Sequence, residues 1–365
     1  MKILLLSCNT GQGHNSVANA VVETLENRGN TCEIVDALGF ISERTSKFVS
    51  WGHSFIYCHC PSVFSVGYGV TEKHPKMLGE GSMAYWLFGR GSEDLYNYCQ
   101  EHCFDAVICT HVFAALMLTD MQRAYNYSIK SYFVATDYST YPWAPACTMD
   151  AFFIPAESVA ESFGDGVTVT TGIPVYQRFF QELDKTEAKK ALNIAEYKKH
   201  ILVMCGSMGC GPIEEITKRI VSGMTDSCVL SIICGTNERL YNRLSTAYQS
   251  NPNVIIHGFV RNVHEMMSAA DIYVTKPGGI STTEAMAKGL PMVLVDAVAG
   301  CEDYNMHHFQ EIGGAVASKE PKEIAELCLE LLENDAQREQ MRQNLLRNRK
   351  NSAVIICDYL QEHLS

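Results

Sequence analysis

The chain of 365 residues uses the same local pattern twice. An apolar run, Lys2–Ser7, ends in the glycine turn Gly11–Gly13 and passes into a helical pattern, where Val17, Ala20, Val21, Thr24 and Leu25 recur at helix spacing until Gly29. Far downstream, Ile201–Cys205 ends in Gly206-Ser207-Met208-Gly209 and passes into a second helical stretch, Pro212–Met224. Apolar strand, glycine turn, helix is the opening of a βαβ unit, which builds a parallel sheet covered by helices on both faces. Its repetition predicts an α/β chain of two Rossmann-like domains facing across a cleft, each presenting its glycine turns at the ligand edge of its sheet.

The remaining elements fit that frame. In the first half, strands are predicted at Thr31–Asp36, Ala106–Cys109, Tyr132–Thr136, Ala151–Ile154 and Val167–Thr170. In the second half they are predicted at Val229–Cys234, Val254–His257, Asp271–Thr275 and Met292–Val295, with a helix over Gly235–Tyr248. From about Pro321 the chain reads as helical to the end. Thr171-Gly172-Ile173-Pro174-Val175 reads as a domain exit, which gives domains at 1–172 and 173–348.

Composition removes several classes of function. Apolar residues make up 47% and charged residues 19%, and mean hydropathy is −0.05, which excludes a disordered, fibrous or polytopic membrane chain. No uncharged apolar run reaches the roughly 18 residues that span a bilayer. Lys and Arg number 29 against 41 Asp and Glu, a net charge of −12, with −8 of it in residues 1–172. A basic nucleic-acid footprint is therefore not expected. The N-terminal apolar run is too short for a signal peptide, so the 15 cysteines are expected as reduced thiols in a cytoplasmic protein. There is no C-x-x-C pair, and Cys58-His59-Cys60 lacks a distant second pair of ligands, so no metal is expected.

Residues 41–73 differ in character. Phe48, Trp51, Phe55, Ile56, Tyr57, Phe64 and Tyr68 crowd a stretch with few charges. Two helices packing on the core would explain them; so would an exposed aromatic surface for an apolar ligand or a membrane interface. Both hold if they occupy opposite helix faces.

The most informative stretch is Thr275-Lys276-Pro277-Gly278-Gly279-Ile280-Ser281-Thr282-Thr283-Glu284. A strand ends, paired glycines admit a close ligand, and Ser281 or Thr282 can cap a new helix. The free N–H groups and positive dipole at such a helix start suit a diphosphate. Glu284, near the end of the first turn, can accept from the vicinal hydroxyls of a ribose. An ordinary capped turn would use the same residues.

Gly11-x-Gly13-His14, His257-Gly258-Phe259-Val260, Pro277-Gly278-Gly279-x-Ser281-Thr282-x-x-Glu284 and Glu302-Asp303-x-Asn305 together resemble glycosyltransferase family 28. The nearest branch is that of the monogalactosyldiacylglycerol synthases and processive diacylglycerol glucosyltransferases. A more distant relative is the N-acetylglucosaminyltransferase that makes lipid II. The resemblance implies the GT-B fold, with a C-terminal helix, 349–365, returning to the N-terminal domain. It implies a UDP-sugar on the C-terminal domain: Phe259 and Val260 at the uracil edge, Gly278, Gly279, Ile280, Ser281 and Thr282 at the diphosphate, and Glu284 at the ribose. Gly206, Ser207 and Met208 lie near the donor phosphates or the acceptor, and Glu302, Asp303 and Asn305 at the donor sugar. The UDP-sugar is a substrate, and no cofactor is implied. No D-x-D occurs in the chain, which suits transfer without a metal, the helix start stabilising the leaving UDP.

His14 is the catalytic candidate of the N-terminal domain. It follows a strand and a glycine turn, so it is expected to point into the interdomain cleft, where a His near its normal pKa can take the proton of an acceptor hydroxyl as that hydroxyl attacks the anomeric carbon, a single inverting displacement. Thr136-Asp137 is the second candidate: Asp137 can orient His14, act as the base itself, or cap the next turn. In the resembling branch a His follows this pair after a few residues, whereas this chain continues Tyr138-Ser139-Thr140-Tyr141-Pro142-Trp143. Gly13, Trp51, Phe55 and His111 are the acceptor-side candidates. The −8 charge departs from the basic surface by which such enzymes dock on anionic bilayers, so docking falls to the aromatic segment or to Lys47, Lys73, Lys76 and Arg90.

The expectation is an inverting, metal-independent UDP-sugar hexosyltransferase that makes a β-glycolipid from an acceptor such as diacylglycerol, peripheral on the inner face of the cell membrane. Its rivals are a transferase with a soluble or polyprenyl-linked acceptor, a UDP-sugar 2-epimerase of the same shape, and a nucleotide-sugar-binding module without transfer. Donor sugar, number of sugars added and oligomeric state stay open.

Overall fold

The computed structural model describes residues 1–9, 12–59, 74, 81–295 and 300–364, without the side chains of 53–59, 83 and 84. Gly11, Cys60, Phe64, Tyr68, Lys73 and Lys76, and the side chains of Phe55, Ile56, Tyr57, Cys58 and His59, lie outside the described residues. The chain divides into two compact units, Met1–Gln177 with Lys350–Ser365, and Arg178–Arg349.

In the first unit, β1 (Lys2–Ser7), β2 (Thr31–Asp36), β3 (Ala106–Cys109), β4 (Lys130–Val134), β5 (Ala151–Ile154) and β6 (Thr168–Thr170) form a parallel sheet in the order β2-β1-β3-β4-β5-β6. Ile3, Leu4, Leu5 and Leu6 are all fully buried, as a strand covered on both faces requires. The helix Gln12–Asn27 buries Val17, Val21 and Leu25, and the last helix, Ser352–His363, buries Ile356, Cys357 and Leu360 and packs on it. Tyr359 of that helix meets Tyr132 and Phe153 edge-on, with ring centroids 6.2 and 5.3 Å apart.

β4 begins and ends earlier than the sequence predicts. Ala135 N–H still donates to the Phe153 carbonyl at 2.9 Å. The next two N–H groups, of Thr136 and Asp137, turn instead to the Tyr141 hydroxyl, which ends the ladder. Of the aromatic segment, Glu43–His59 is a helix. Val49 packs against the core, while Phe48 and Trp51 are 71% and 62% exposed, so these two rings do not pack into the core. Among the described residues no helix is long and apolar enough to cross a membrane.

In the second unit, β7 (Lys199–Met204), β8 (Cys228–Ile233), β9 (Val254–His257), β10 (Ile272–Thr275), β11 (Met292–Val295) and β12 (Ala315–Ser318) run parallel in the order β12-β11-β10-β7-β8-β9, the doubly wound Rossmann order. The helix predicted from Gly235 starts at Glu238, because the Asn237 side chain caps it on Leu240 N–H at 3.0 Å. β12 went unpredicted; Ala-Val-Ala-Ser is too short and small to read as a strand. The region after Pro321 is three helices, Pro321–Glu333, Asp335–Asn348 and Ser352–His363, broken at Asn334 and again at 349–351.

Candidate functional site

Doubly wound sheets bind ligands at the carboxyl ends of strands where the winding reverses. In the second unit that point lies between β7 and β10, from which the turns 206–209 and 276–279 emerge side by side. The helix Gly279–Lys288 has Gly278 as its N-cap and no side-chain cap. This corrects the expectation that Ser281 or Thr282 caps it: the buried Thr282 hydroxyl donates back to the Gly278 carbonyl at 2.8 Å. The first-turn N–H groups of Gly279, Ile280 and Ser281 are the ones a helix start leaves without an intrahelical partner, and an anion suits them.

Glu284 falls in the second turn rather than the first, because the helix begins at Gly279. Burial pushes its carboxyl up to about 8, against the opposing charge of Arg178. The glycine turn after β7 is held by close packing. Gly206 has φ +71°, and Gly235 has φ +59° with its Cβ position 2.1 Å from the Ser207 carbonyl oxygen. Thr236 N–H donates to that same oxygen at 2.9 Å. Phe259 is 63% exposed, beside the half-buried Val260.

The helix Cys301–Glu311 approaches the same turn. The fully buried Asn305 donates through Nδ2 to the Pro277 carbonyl at 2.9 Å. Asp303 accepts from Gly300 N–H at 3.1 Å, and Glu302 pairs with Lys276 at 3.2 Å. Lys276 carries no role in the motif reading, although a lone cation directly before a Pro-Gly-Gly turn is a signal for one.

In the first unit the winding reverses between β1 and β3, and three strand ends meet there. His14 Nδ1 lies 2.7 Å from the Thr110 carbonyl oxygen after β3. A carbonyl oxygen only accepts, so Nδ1 carries the proton and Nε2 keeps its lone pair. Desolvation lowers the His14 pKa to about 4, which keeps the ring neutral. His111 sits edge-on to it, with centroids 4.5 Å apart, and its own Nδ1 accepts from Phe113 N–H at 3.1 Å. The Thr136 hydroxyl lies 3.4 Å from His14 Nδ1 and 3.1 Å from Asp137 Oδ2, so Asp137 reaches His14 through Thr136.

The supports were not visible in the sequence. Ser7 bonds Asn15, Asn15 bonds Asn9 and Asn9 bonds Asp36, at 2.6, 2.9 and 3.0 Å, fixing the helix start that carries His14. Tyr141 accepts from Thr136 and Asp137 N–H and donates to the Asp137 carbonyl. That clamp gives the Tyr a structural task in the segment where the resembling branch carries its His.

Among the described residues, no three His, Cys, Asp or Glu side chains are placed to hold a metal ion. A cavity of about 650 Å³ lies at the opposite ends of β10 and β11. Its cations have partners within the chain: Lys288, Arg338 and Arg349 donate to the carbonyls of Gln181, Leu332 and Ala287, while Lys185 and Arg342 pair with Asp271 and Glu339.

Residues 14–175 match the monogalactosyldiacylglycerol (MGDG) synthase family, and residues 213–347 match glycosyl transferases group 1. The processive diacylglycerol beta-glucosyltransferase of Bacillus subtilis (strain 168) is 27% identical over 378 residues, covering 99% of this chain and 95% of that protein. Among solved structures, Acinetobacter baumannii MurG matches with a TM-score of 0.66 at 16% identity, over 99% of both chains. A putative UDP-N-acetylglucosamine 2-epimerase of Listeria monocytogenes matches at 0.65 and 13% identity, over 99% of this chain and 96% of that one. At such identities the two structures establish the fold, α/β of the GT-B class, and nothing finer. The matches to both halves and the full-length relative extend to the whole chain the resemblance, carried by the motifs, to the family 28 glycosyltransferases of the monogalactosyldiacylglycerol synthase and processive diacylglycerol glucosyltransferase branch.

Proposed function

We propose that the chain is a hexosyltransferase that moves a sugar from a UDP-sugar to a lipid acceptor such as diacylglycerol, inverting the anomeric centre and using no metal. The observation that carries this reading is the fixed tautomer of His14, which leaves Nε2 as a proton acceptor at the ligand edge of the first unit.

In this mechanism the acceptor hydroxyl gives its proton to His14 Nε2 while its oxygen bonds to the anomeric carbon. The bond from that carbon to the diphosphate breaks on the opposite face, and its electron pair leaves with UDP. Thr110 and the Thr136–Asp137 pair hold the imidazolium that forms. The N–H groups of Gly279, Ile280 and Ser281 receive the charge developing on the diphosphate. Glu284 holds the ribose, Phe259 and Val260 the uracil, and Glu302, Asp303 and Asn305 the sugar. Gly206, Ser207 and Met208 are assigned to the phosphates; Gly13, Trp51, Phe55 and His111 are assigned to the acceptor. The exposed Phe48 and Trp51 support work at a membrane surface.

The test is UDP release and product mass spectrometry with UDP-glucose, UDP-galactose and UDP-N-acetylglucosamine, using diacylglycerol vesicles as acceptor. A β-glycolipid is the expected product, abolished in His14→Ala. Turnover only with a soluble or polyprenyl-linked acceptor moves the proposal to that acceptor, and isomerised UDP-sugar formed without acceptor replaces transfer by epimerisation.

A further inference from the structure

Lys276, to which the transfer mechanism gives no task, forms an ion pair with Glu302, which that mechanism places at the donor sugar. Lys276 Nζ lies 3.2 Å from Glu302 Oε1, and the two side chains are only 13% and 6% exposed. The lysine stem crosses the other glycine turn: a Cβ on Gly206 would stand 2.9 Å from Lys276 Cε. The carboxylate end lies over the helix start, because a Cβ on Gly278 would stand 3.8 Å from Glu302 Oε1. Cys205, at the end of β7, feels the Glu302 charge, which adds to burial in pushing its thiol up to about 12. The pair thus spans both turns at the point where the winding of the sheet reverses.

A buried ion pair is a poor stabilising device, since desolvation takes back most of its attraction. Placed where a diphosphate is to sit, it has another use. A diphosphate on the N–H groups of Gly279–Ser281 brings its anionic oxygens beside both the ammonium and the carboxylate. The ammonium is attracted to them, while the carboxylate is repelled and needs new donors.

We infer that Lys276 and Glu302 exchange partners when the donor binds: Lys276 leaves Glu302 for the diphosphate, and Glu302 takes the hydroxyls of the donor sugar. The exchange rests on the donor site proposed above and adds a positioning residue, Lys276, with a coupling between two parts of the ligand. Phosphate recognition releases the carboxylate that recognises the sugar. With UDP alone, the released carboxylate has no hydroxyls to meet, so the intact donor gains more than the sum of its parts.

Calorimetric titration of uridine, UDP and UDP-glucose tests this on the wild type, Lys276→Met, Lys276→Arg, Glu302→Gln and the double variant Lys276→Met/Glu302→Gln. Charge-assisted phosphate contacts predict that Lys276→Met and the double variant weaken UDP by about 10- to 100-fold and leave uridine unchanged. Lys276→Arg keeps most of the UDP affinity. Glu302→Gln binds UDP at least as tightly as the wild type but loses the advantage of UDP-glucose over UDP. The double variant carries no uncompensated buried carboxylate, so it separates phosphate binding from misfolding. Equal losses for uridine and UDP in the double variant, or an unchanged UDP affinity there, overturn the exchange alone. A wild type that binds no UDP overturns the donor site as well.

Discussion

His14 Nδ1 stands 2.7 Å from the carbonyl oxygen of Thr110, and that contact decides which ring nitrogen is left to take a proton. Replacing His14 by Ala is expected to lower kcat by about 10²–10⁴ with UDP affinity unchanged. Burial lowers the His14 pKa to about 4, so the neutral, proton-accepting ring persists until pH falls to that value. The kcat/KM profile should therefore stay flat from pH 7 to about 5.5 on its acid side. An acid limb centred on the ordinary histidine value of about 6.5 counts against His14 as the base.

Glu284 behaves in the opposite sense. Its carboxyl is raised from 4.5 to about 8 by burial, so the folded state favours the protonated form. Its contribution to stability is complete below about pH 4.5 and is lost as pH rises through 8. Glu284→Gln removes that loss. It should be more stable than the wild type at pH 8.5 by up to about 5 kcal/mol, with the difference vanishing near pH 4.5, while uridine binds about tenfold more weakly. Thermal melts at the two pH values check the first part; a constant difference contradicts it.

Gly235 admits no side chain, with its Cβ position 2.1 Å from the Ser207 carbonyl oxygen and φ +59°. Gly235→Ala should cost at least about 2 kcal/mol and weaken UDP, because the 206–209 turn must shift. Gly39 has nothing within 4 Å of its Cβ position, so Gly39→Ala should stay within about 0.5 kcal/mol. Denaturant melts of the two variants settle the comparison.

Phe48 and Trp51 share the exposed side of the Glu43–His59 helix, while Lys47 lies 3.7 Å from Glu43. Vesicle flotation is expected to fall about tenfold or more in Phe48→Ser/Trp51→Ser, without a change in melting temperature. With −8 on residues 1–172, the binding should come from insertion of rings and not from anionic lipid, so raising salt should leave it nearly unchanged. Binding that needs anionic lipid and disappears in salt would point to a basic patch instead.

What the sequence disclosed follows the range of the forces involved. β1, β2, β3, β5, β9 and β11 were legible to the residue, because apolar runs bounded by turns are local signals. The end of β4 was misplaced because a side chain intervenes, the Tyr141 hydroxyl a few residues on that takes the next two N–H groups. The glycine turns were legible for a similar reason: positive φ at Gly206 and Gly235 is a demand of the backbone itself. The partners of the site residues were not. A main-chain carbonyl such as that of Thr110 leaves no trace in residue identity, and Lys276 meets Glu302 only because β10 lies beside β7 and β11.

The first unit is sewn shut by a helix made only after the whole of the second unit. Ser352–His363 covers the apolar flank of Gln12–Asn27, yet every residue of the second unit leaves the ribosome before it. The second unit, continuous from Arg178 to Arg349, can close on itself while its neighbour still has a greasy side open to water. The half translated first is thus the half completed last, and a nascent chain stalled anywhere before residue 350 carries that open side to the chaperones.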